Sequence, residues 1–448
     1  MFGLPFDLIM KRNIYCSLLV LLVLAFGSAV TLAQQTNLPP DASSPEQRDA
    51  ATLEVLISEA WTNNPEVRLF EAAVAGARGE LITAKTWNNP EVSFAPGAVR
   101  TEESGSPSRT GFHGDFGISQ TFSFPGKRAL QRAVAEKTVQ SRQLALTAFR
   151  TQLAIQVHRS FYRLLAARQM VALRQRHMEL AQSFLAAARK KVEGGFAPDF
   201  EQTKAEVDVA AGLKSLREAQ ADEAVARTAL NSLVGRKLDT QVKIEGEFSE
   251  SPTVPDEATL LNHALTQNPS LKIQAAEVER TGLSLSLTKK SRLPDFTVGP
   301  SVEYREGEQI YGLGISLPLP FWDKKKGAIT TATAEQQRAL AELDTLRRDI
   351  VREVSSAAHL LTAARESLAI YTPAFRGKLK AALDNASQSY AEGRTSLLVF
   401  LETERTYYDT EAGYYETLQR LYDAQAALEA GLGMPLSELE KSKPSTNK

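Results

Sequence analysis

Residues 112–125, FHGDFGISQTFSFP, alternate apolar and polar positions almost without a break. Phe112, Gly114, Phe116, Ile118, Phe122 and Phe124 share one parity; His113, Asp115, Ser119, Thr121 and Ser123 take the other. Because side chains leave a β-strand with period two, the pattern predicts a strand with one apolar and one polar face. Two settings suit it: an antiparallel strand on a soluble core, or a membrane strand with lipid on one side and water on the other, for which about 9–11 residues suffice. The alternation returns later, with Phe296, Val298, Pro300, Val302 and Tyr304 against Asp295, Thr297, Ser301 and Glu303, then with Tyr311, Leu313, Ile315, Leu317 and Leu319 on one parity. Strand pairs are expected at about 90–124 and 294–319. Loops rich in Gly, Ser and charge, RTEESGSPSRTG and REGEQ, lie between the partners.

Elsewhere the period is helical. No proline occurs from about 126 to 192, and Leu146, Phe149, Leu153, Val157, Phe161 and Leu164 recur every three or four residues. A second span, about 325 to 392, carries Leu340, Leu343, Leu346, Ile350, Val354, Leu361 and Leu368, with Pro373 expected to bend or break it. More than 60 helical residues give roughly 90–100 Å of length. Gly194-Gly195 and Gly393 then turn the chain back into a second helix, so both spans predict long antiparallel hairpins with narrow, coiled-coil-like apolar stripes.

The chain is written twice. EAWTNNPEVRLFEAAV from Glu59 resembles HALTQNPSLKIQAAEV from His263 at an offset of 204, which still holds between Asn89 and Leu293. Gly195 with Gly393, and Gly235 with Gly433, give 198. The register therefore changes between the strands and the helix that follows, where hairpin loops tolerate insertion. The organisation read from this is a first repeat at 53–235, a linker at 236–255, a second repeat at 256–433 and a C-terminal tail at 434–448.

Composition sharpens the picture. Lys and Arg total 52 against 53 Asp and Glu, so no global basic field invites nucleic acid. Lys11 and Arg12 precede an apolar run at 14–30, and Thr31-Leu32-Ala33 supplies small residues before Gln34, the order of a secretory signal peptide at 1–33, with a flexible segment at 34–52. The single cysteine, Cys16, lies inside that run, so the exported chain would hold no disulfide and depend on packing or assembly. Beyond residue 33 no window approaches 18 consecutive apolar residues, so any membrane crossing falls to strands.

Four strands cannot close a membrane barrel, since the smallest have eight, and a lone sheet in lipid leaves unpaired edges. Subunits must then share a barrel. Three chains give twelve strands, an even number, with the polar parity toward a water-filled lumen and the long helices continuing the tube. The expected fold class is an α+β membrane protein, its helical hairpins forming a periplasmic α-barrel and its four strands joining a twelve-stranded trimeric β-barrel.

The leader, the duplicated helix–strand–strand–helix unit and the Gly-centred turns together resemble the TolC-type outer-membrane efflux family over nearly the whole exported chain. The most specific local match is YAEGRTSLLVFLETE, where the family's Tyr-x-x-Gly-x-x-Ser-x-Leu pattern falls on Tyr390, Gly393, Ser396 and Leu398, with a later Leu on Leu401. FPGKRA, VEGGFAPDFEQTKA and ISLPLPFWDKKKGAI further resemble its CzcC-like branch, associated with heavy-metal cation efflux. The resemblance implies an outer-membrane homotrimer reaching into the periplasm, docked to a periplasmic adaptor and an inner-membrane RND pump, acting as a passive conduit.

It also implies roles for particular residues. The turns, with Gly194, Gly195, Phe196, Tyr390, Gly393, Arg394 and Ser396, would lie at the periplasmic tip where the adaptor docks. Gly195 and Gly393 are equally what any tight turn needs, and Phe196 and Arg394 are either contacts or ordinary surface. The family's acidic gate falls on Glu402, nine residues after Gly393, either a threefold negative ring favouring cations or a solvated helix-face glutamate. Val399 departs from the inner acidic residue that some members carry.

No enzyme is expected: there is no phosphate loop, no His-Glu-x-x-His pair and no Gly-x-Ser-x-Gly elbow. No cofactor is called for. His113, His158, His177, His263 and His359 lack metal-ligand spacing in sequence, so no metal site is expected. Asp323 to Gly327, DKKKG, suits a membrane boundary better than nucleic acid. Multidrug efflux, type I protein secretion through the same fold, and a secreted coiled-coil scaffold without a pore are the competing readings.

Overall fold

The computed structural model describes residues 51–101, 109–248, 254–305 and 308–441. The expected signal peptide, nearly all of 34–52, most of the first strand-pair loop, the centre of the second, residues 249–253 of the linker and 442–448 of the tail lie outside the described residues. In chain order the elements are α1 (Leu53–Asn63), α2 (Pro65–Lys85), β1 (Glu91–Thr101), β2 (Arg109–Phe122), α3 (Lys127–Glu193) and α4 (Asp199–Val234). The order then repeats as α5 (Glu257–Gln267), α6 (Pro269–Lys290), β3 (Phe296–Arg305), β4 (Glu308–Ser316), α7 (Lys326–Ala369), α8 (Pro373–Ala391) and α9 (Leu397–Leu432), followed by α10 (Leu436–Lys441). No described helix is long and apolar enough to cross a membrane.

The duplication extends to individual hydrogen bonds. In each Asn-Pro pair the proline opens a helix at the position where a missing N–H costs nothing, and the asparagine caps it. Asn64 Oδ1 accepts from the Glu66 N–H at 2.8 Å while Nδ2 donates to the Leu233 carbonyl at 2.9 Å. Asn268 Oδ1 accepts from Ser270 at 2.8 Å while Nδ2 donates to Gly431 at 2.7 Å. Asn64 is 5% and Asn268 3% exposed, so each cap satisfies two otherwise orphaned buried groups and fastens the start of its repeat to the returning helix.

The four strands form one antiparallel sheet in the order β1-β2-β3-β4. The two repeats meet at β2 and β3, where the Thr121 and Thr297 hydroxyls lie 2.8 Å apart and the Phe122 and Phe296 rings stack at 5.5 Å. The register lines Phe94, Phe116, Val302 and Tyr311 across one face and Ser93, Gly117, Ser301 and Gly312 across the other. Phe94, Phe116, Tyr311, Leu313 and Ile315 are exposed. Among the described residues nothing covers the apolar face, whereas the soluble-core reading of these strands requires a cover. Aromatic side chains gather at the helix-proximal ends: Trp87 lies edge-on to Phe122 at 6.1 Å under the Arg128 guanidinium, and Trp322 is 94% exposed.

Helix α3 runs 67 residues, roughly 100 Å at about 1.5 Å per residue. Its partner in the second repeat is interrupted at 370–372: Thr372 caps a new helix by accepting from the Phe375 N–H, and Pro373 opens it. One apolar cluster joins α1, α2, α3, α4, α8 and α9; another joins α5, α6, α7, α9 and α10.

Candidate functional site

Both hairpin turns are built alike. In the first, the Gly195 N–H donates to Val192 at 2.9 Å and the Phe196 N–H to Lys191 at 2.8 Å; in the second, Gly393 donates to Tyr390 at 3.0 Å and Arg394 to Ser389 at 2.8 Å. These are paired Schellman closures, which need a left-handed residue just past the helix end. Gly195 and Gly393 supply it with φ of 73° and 72°. The returning helices start differently: Pro198 precedes α4, whereas Ser396 caps α9 through the Val399 N–H.

The turns are fastened to each other. Lys191 Nζ donates to the Tyr390 carbonyl at 2.9 Å and sits 3.8 Å above the Tyr390 ring, and the Tyr390 hydroxyl donates to Glu201 at 2.8 Å. Phe184 stacks on Phe400 at 4.6 Å and lies 4.9 Å from Tyr390. Burial, with the Glu201 carboxylate, raises the Tyr390 phenol well above its usual value, so it stays a neutral donor. Of the expected tip residues, Tyr390 is 5% exposed and acts as the clasp, while Phe196 at 86% exposure and Arg394, paired with Glu392, form the outer surface. Glu402 stands exposed on α9, and Val399, one helical turn earlier, is 50% exposed.

An amphipathic sheet on paired helical hairpins, repeated twice, is the arrangement to compare with known proteins. The family model described as "Outer membrane efflux protein" matches residues 56–236 and 260–434. The chain belongs to that family. It is one of efflux channels and not of enzymes. Among its relatives, the cobalt-zinc-cadmium resistance protein CzcC of Cupriavidus metallidurans is 25% identical over 391 residues, covering 86% of this chain and 91% of that one. The nickel-cobalt-cadmium resistance protein NccC of Alcaligenes xylosoxydans xylosoxydans is 24% identical over 342 residues, 75% of this chain and 72% of its own. In fold the chain is similar to the open state of the Neisseria gonorrhoeae MtrE outer membrane channel, with a TM-score of 0.71 at 17% identity, covering 86% of this chain and 89% of that one.

This outer membrane efflux protein also holds a group that sequence reasoning missed. His177 of α3 brings its Nε2 within 3.5 Å of Glu404 Oε1 on α9 and 4.0 Å of Asp208 Oδ1 on α4. Burial lowers the His177 pKa, raises that of Asp208, and with the Asp208 charge pushes Glu404 up to about 8. The three residues are spread over more than 200 positions and three helices, so no local spacing betrays them. The one available signal was that His177 and Asp208 flank Gly195 at similar distances, which a hairpin brings together. On the polar face of the sheet His113, Asp115 and Glu303 also converge, at 3.3 Å and 3.8 Å, but there all three are partly open to solvent.

Proposed function

We propose that three copies of the chain form a passive conduit through the outer membrane for divalent heavy-metal cations, working with a periplasmic adaptor and an inner-membrane RND pump. The observation that carries the reading is the sheet, with one exposed apolar face, one polar face, and β1 and β4 each paired on one side only among the described residues. Strands of 9 to 14 residues suffice to cross a bilayer, and open edges in lipid are prohibitively costly. Closure with two further copies removes both edges and turns Ser93, Gly117, Ser301 and Gly312 toward water. The relatives named for cobalt, zinc, cadmium and nickel resistance support metal cargo.

In this reading the outer surface of the turns, Phe196 and Arg394 with the backbone of Gly194, Gly195 and Gly393, receives the adaptor. Tyr390 and Ser396 hold its shape, and Glu402 contributes one acid per subunit to a ring at the pore. The test is deletion of the gene in its native host, with growth scored against salts of cobalt, zinc, cadmium, nickel, copper and silver and against lipophilic drugs, and with the wild-type gene restored as control. Sensitivity confined to metals is the expected result. Sensitivity to drugs alone overturns the metal cargo and leaves the channel.

A further inference from the structure

The most conspicuous group left over by the channel reading is the cluster on α3, α4 and α9. Glu404 is 1% exposed, and neither of its carboxylate oxygens has a hydrogen-bond partner. His177 Nδ1 and Asp208 Oδ2 are likewise buried without one. A buried carboxyl group without hydrogen-bond partners is destabilising, so a chain keeping one has reason to fill the space beside it. His177, Asp208 and Glu404 each offer one ligand atom, and these atoms lie within 4.8 Å of one another. They line a cleft of about 350 Å³ that opens between the hairpins.

We propose that His177, Asp208 and Glu404 form a binding site for a divalent transition-metal cation that ties the first hairpin to α9. The donor set is one imidazole nitrogen and two carboxylate oxygens, which suits zinc, cobalt or nickel and suits calcium and magnesium poorly. Ligand atoms about 2.0–2.1 Å from a tetrahedral ion stand roughly 3.3 Å apart. The observed 3.5 Å and 4.0 Å separations need only side-chain adjustment to reach this. Two carboxylates balance the ion's charge, and three protein ligands leave a fourth position open to the cleft. The Tyr408 ring, 4.5 Å from the His177 ring, holds the imidazole in place. Arg174, Lys204 and Arg405 rim the cleft, yet none hydrogen-bonds the Glu404 carboxylate.

The site lies 18 residues before and 13 after Gly195, and 11 after Gly393, roughly 15–30 Å along the helices from the turns. A cation there fixes the relative position of the two hairpins close to the tip. The inference does not depend on what the conduit carries.

The test uses the full-length chain purified in detergent and stripped with chelator, titrated with Co²⁺ and followed by equilibrium dialysis and visible absorption. One Co²⁺ per chain with ligand-field bands is expected, unaffected by excess Mg²⁺, together with a rise in thermal midpoint. Glu404→Gln, which keeps the side-chain shape, should weaken binding at least tenfold and abolish the rise. His113→Gln, on the sheet, should change neither. If Glu404→Gln fails to fold by circular dichroism, Asp208→Asn replaces it with the same expectation. Wild-type chain that binds no Co²⁺, or Glu404→Gln binding it as tightly as wild type, overturns the proposal, as does loss of binding in His113→Gln alone.

Discussion

Helix α3 of the first copy spans 67 residues without interruption, while the second copy covers the corresponding stretch with α7, a break at 370–372 and α8. The packing differs as much as the continuity. Helix α3 buries Leu153, Val157, Phe161, Leu164, Leu173, Phe184 and others along its length, whereas α8 buries only Leu383 and Tyr390. What replaces the missing apolar stripe is a set of specific ties. Arg376 donates twice to the Glu411 carboxylate, at 2.8 and 2.6 Å, and its guanidinium lies 3.8 Å from the centre of the Tyr414 ring. The Tyr371 ring at the break lies 5.9 Å from that of Tyr414, and its hydroxyl occupies the space a side chain at Gly413 would need. A segment held by few buried contacts belongs to the low-stability end of a structure. The duplication has thus left one stiff hairpin and one jointed hairpin, and the jointed one carries Glu402.

The largest test of this contrast is Arg376→Met. It strands Glu411, whose side chain is 6% exposed, without its partner. Breaking a buried pair from one side costs about 3–5 kcal/mol, while replacing both members with apolar residues is often close to neutral. Hydrogen exchange should accelerate by two orders of magnitude or more in α8 and the facing turns of α9, with α3 and α4 unchanged, and Arg376→Met/Glu411→Met should recover most of the loss. Equal acceleration in both hairpins would erase the distinction between them.

The second test probes the seam where the copies join. His158 of α3 packs edge-on against Tyr162, which stacks on Tyr422 of α9 with centroids 3.7 Å apart. Burial lowers the His158 pKa from 6.5 to about 4. The unfolded chain takes up its proton near 6.5 and the folded chain only near 4, so the contribution is complete above pH 6.5 and lost as pH falls toward 4. The shift corresponds to up to about 3 kcal/mol per chain. Denaturant midpoints between pH 7 and 4.5 should fall more steeply for wild type than for His158→Gln. Identical slopes would mean the seam admits a charged imidazole.

How much of this was legible follows from the range of each signal. The period-two alternation around Phe116 and Val302 reports which faces differ, and the strands carry it in the register found. The Asn-Pro pairs, the two Gly turns and the break at Pro373 are also local, because each is set by the backbone limits of one or two residues. Tyr390 reads as part of a surface motif, but its burial depends on Lys191, Glu201, Phe184 and Phe400 arriving from other helices. The His177 cluster was invisible for the same reason. Helix spacing reveals a stripe, but which residue of one stripe meets which residue of another is set by hairpin register over tens of ångströms.

The smallest test concerns the junctions where strands give way to the long helices, and there the copies solve one problem in two ways. Each helix is entered through a left-handed residue, Gly126 with φ 85° in the first copy and Lys325 with φ 56° in the second, the latter the only non-glycine with positive φ among the described residues. Glycine adopts this conformation freely, whereas a side chain pays about 1–2 kcal/mol. A Cβ on Gly126 would also run into the Lys290 ammonium. Lys325 is exposed, and Asp323 holds it by accepting from its N–H at 2.8 Å and pairing with its ammonium at 2.7 Å. Solvent screens an exposed pair of this kind, so it offsets only part of the strain. Gly126→Ala should therefore destabilise by about 2 kcal/mol, and Lys325→Gly should stabilise by about 0.5–1 kcal/mol once the added freedom of the unfolded chain is deducted. A thermal midpoint that falls in Lys325→Gly would show that the Asp323 clasp, and not the backbone, fixes the second junction.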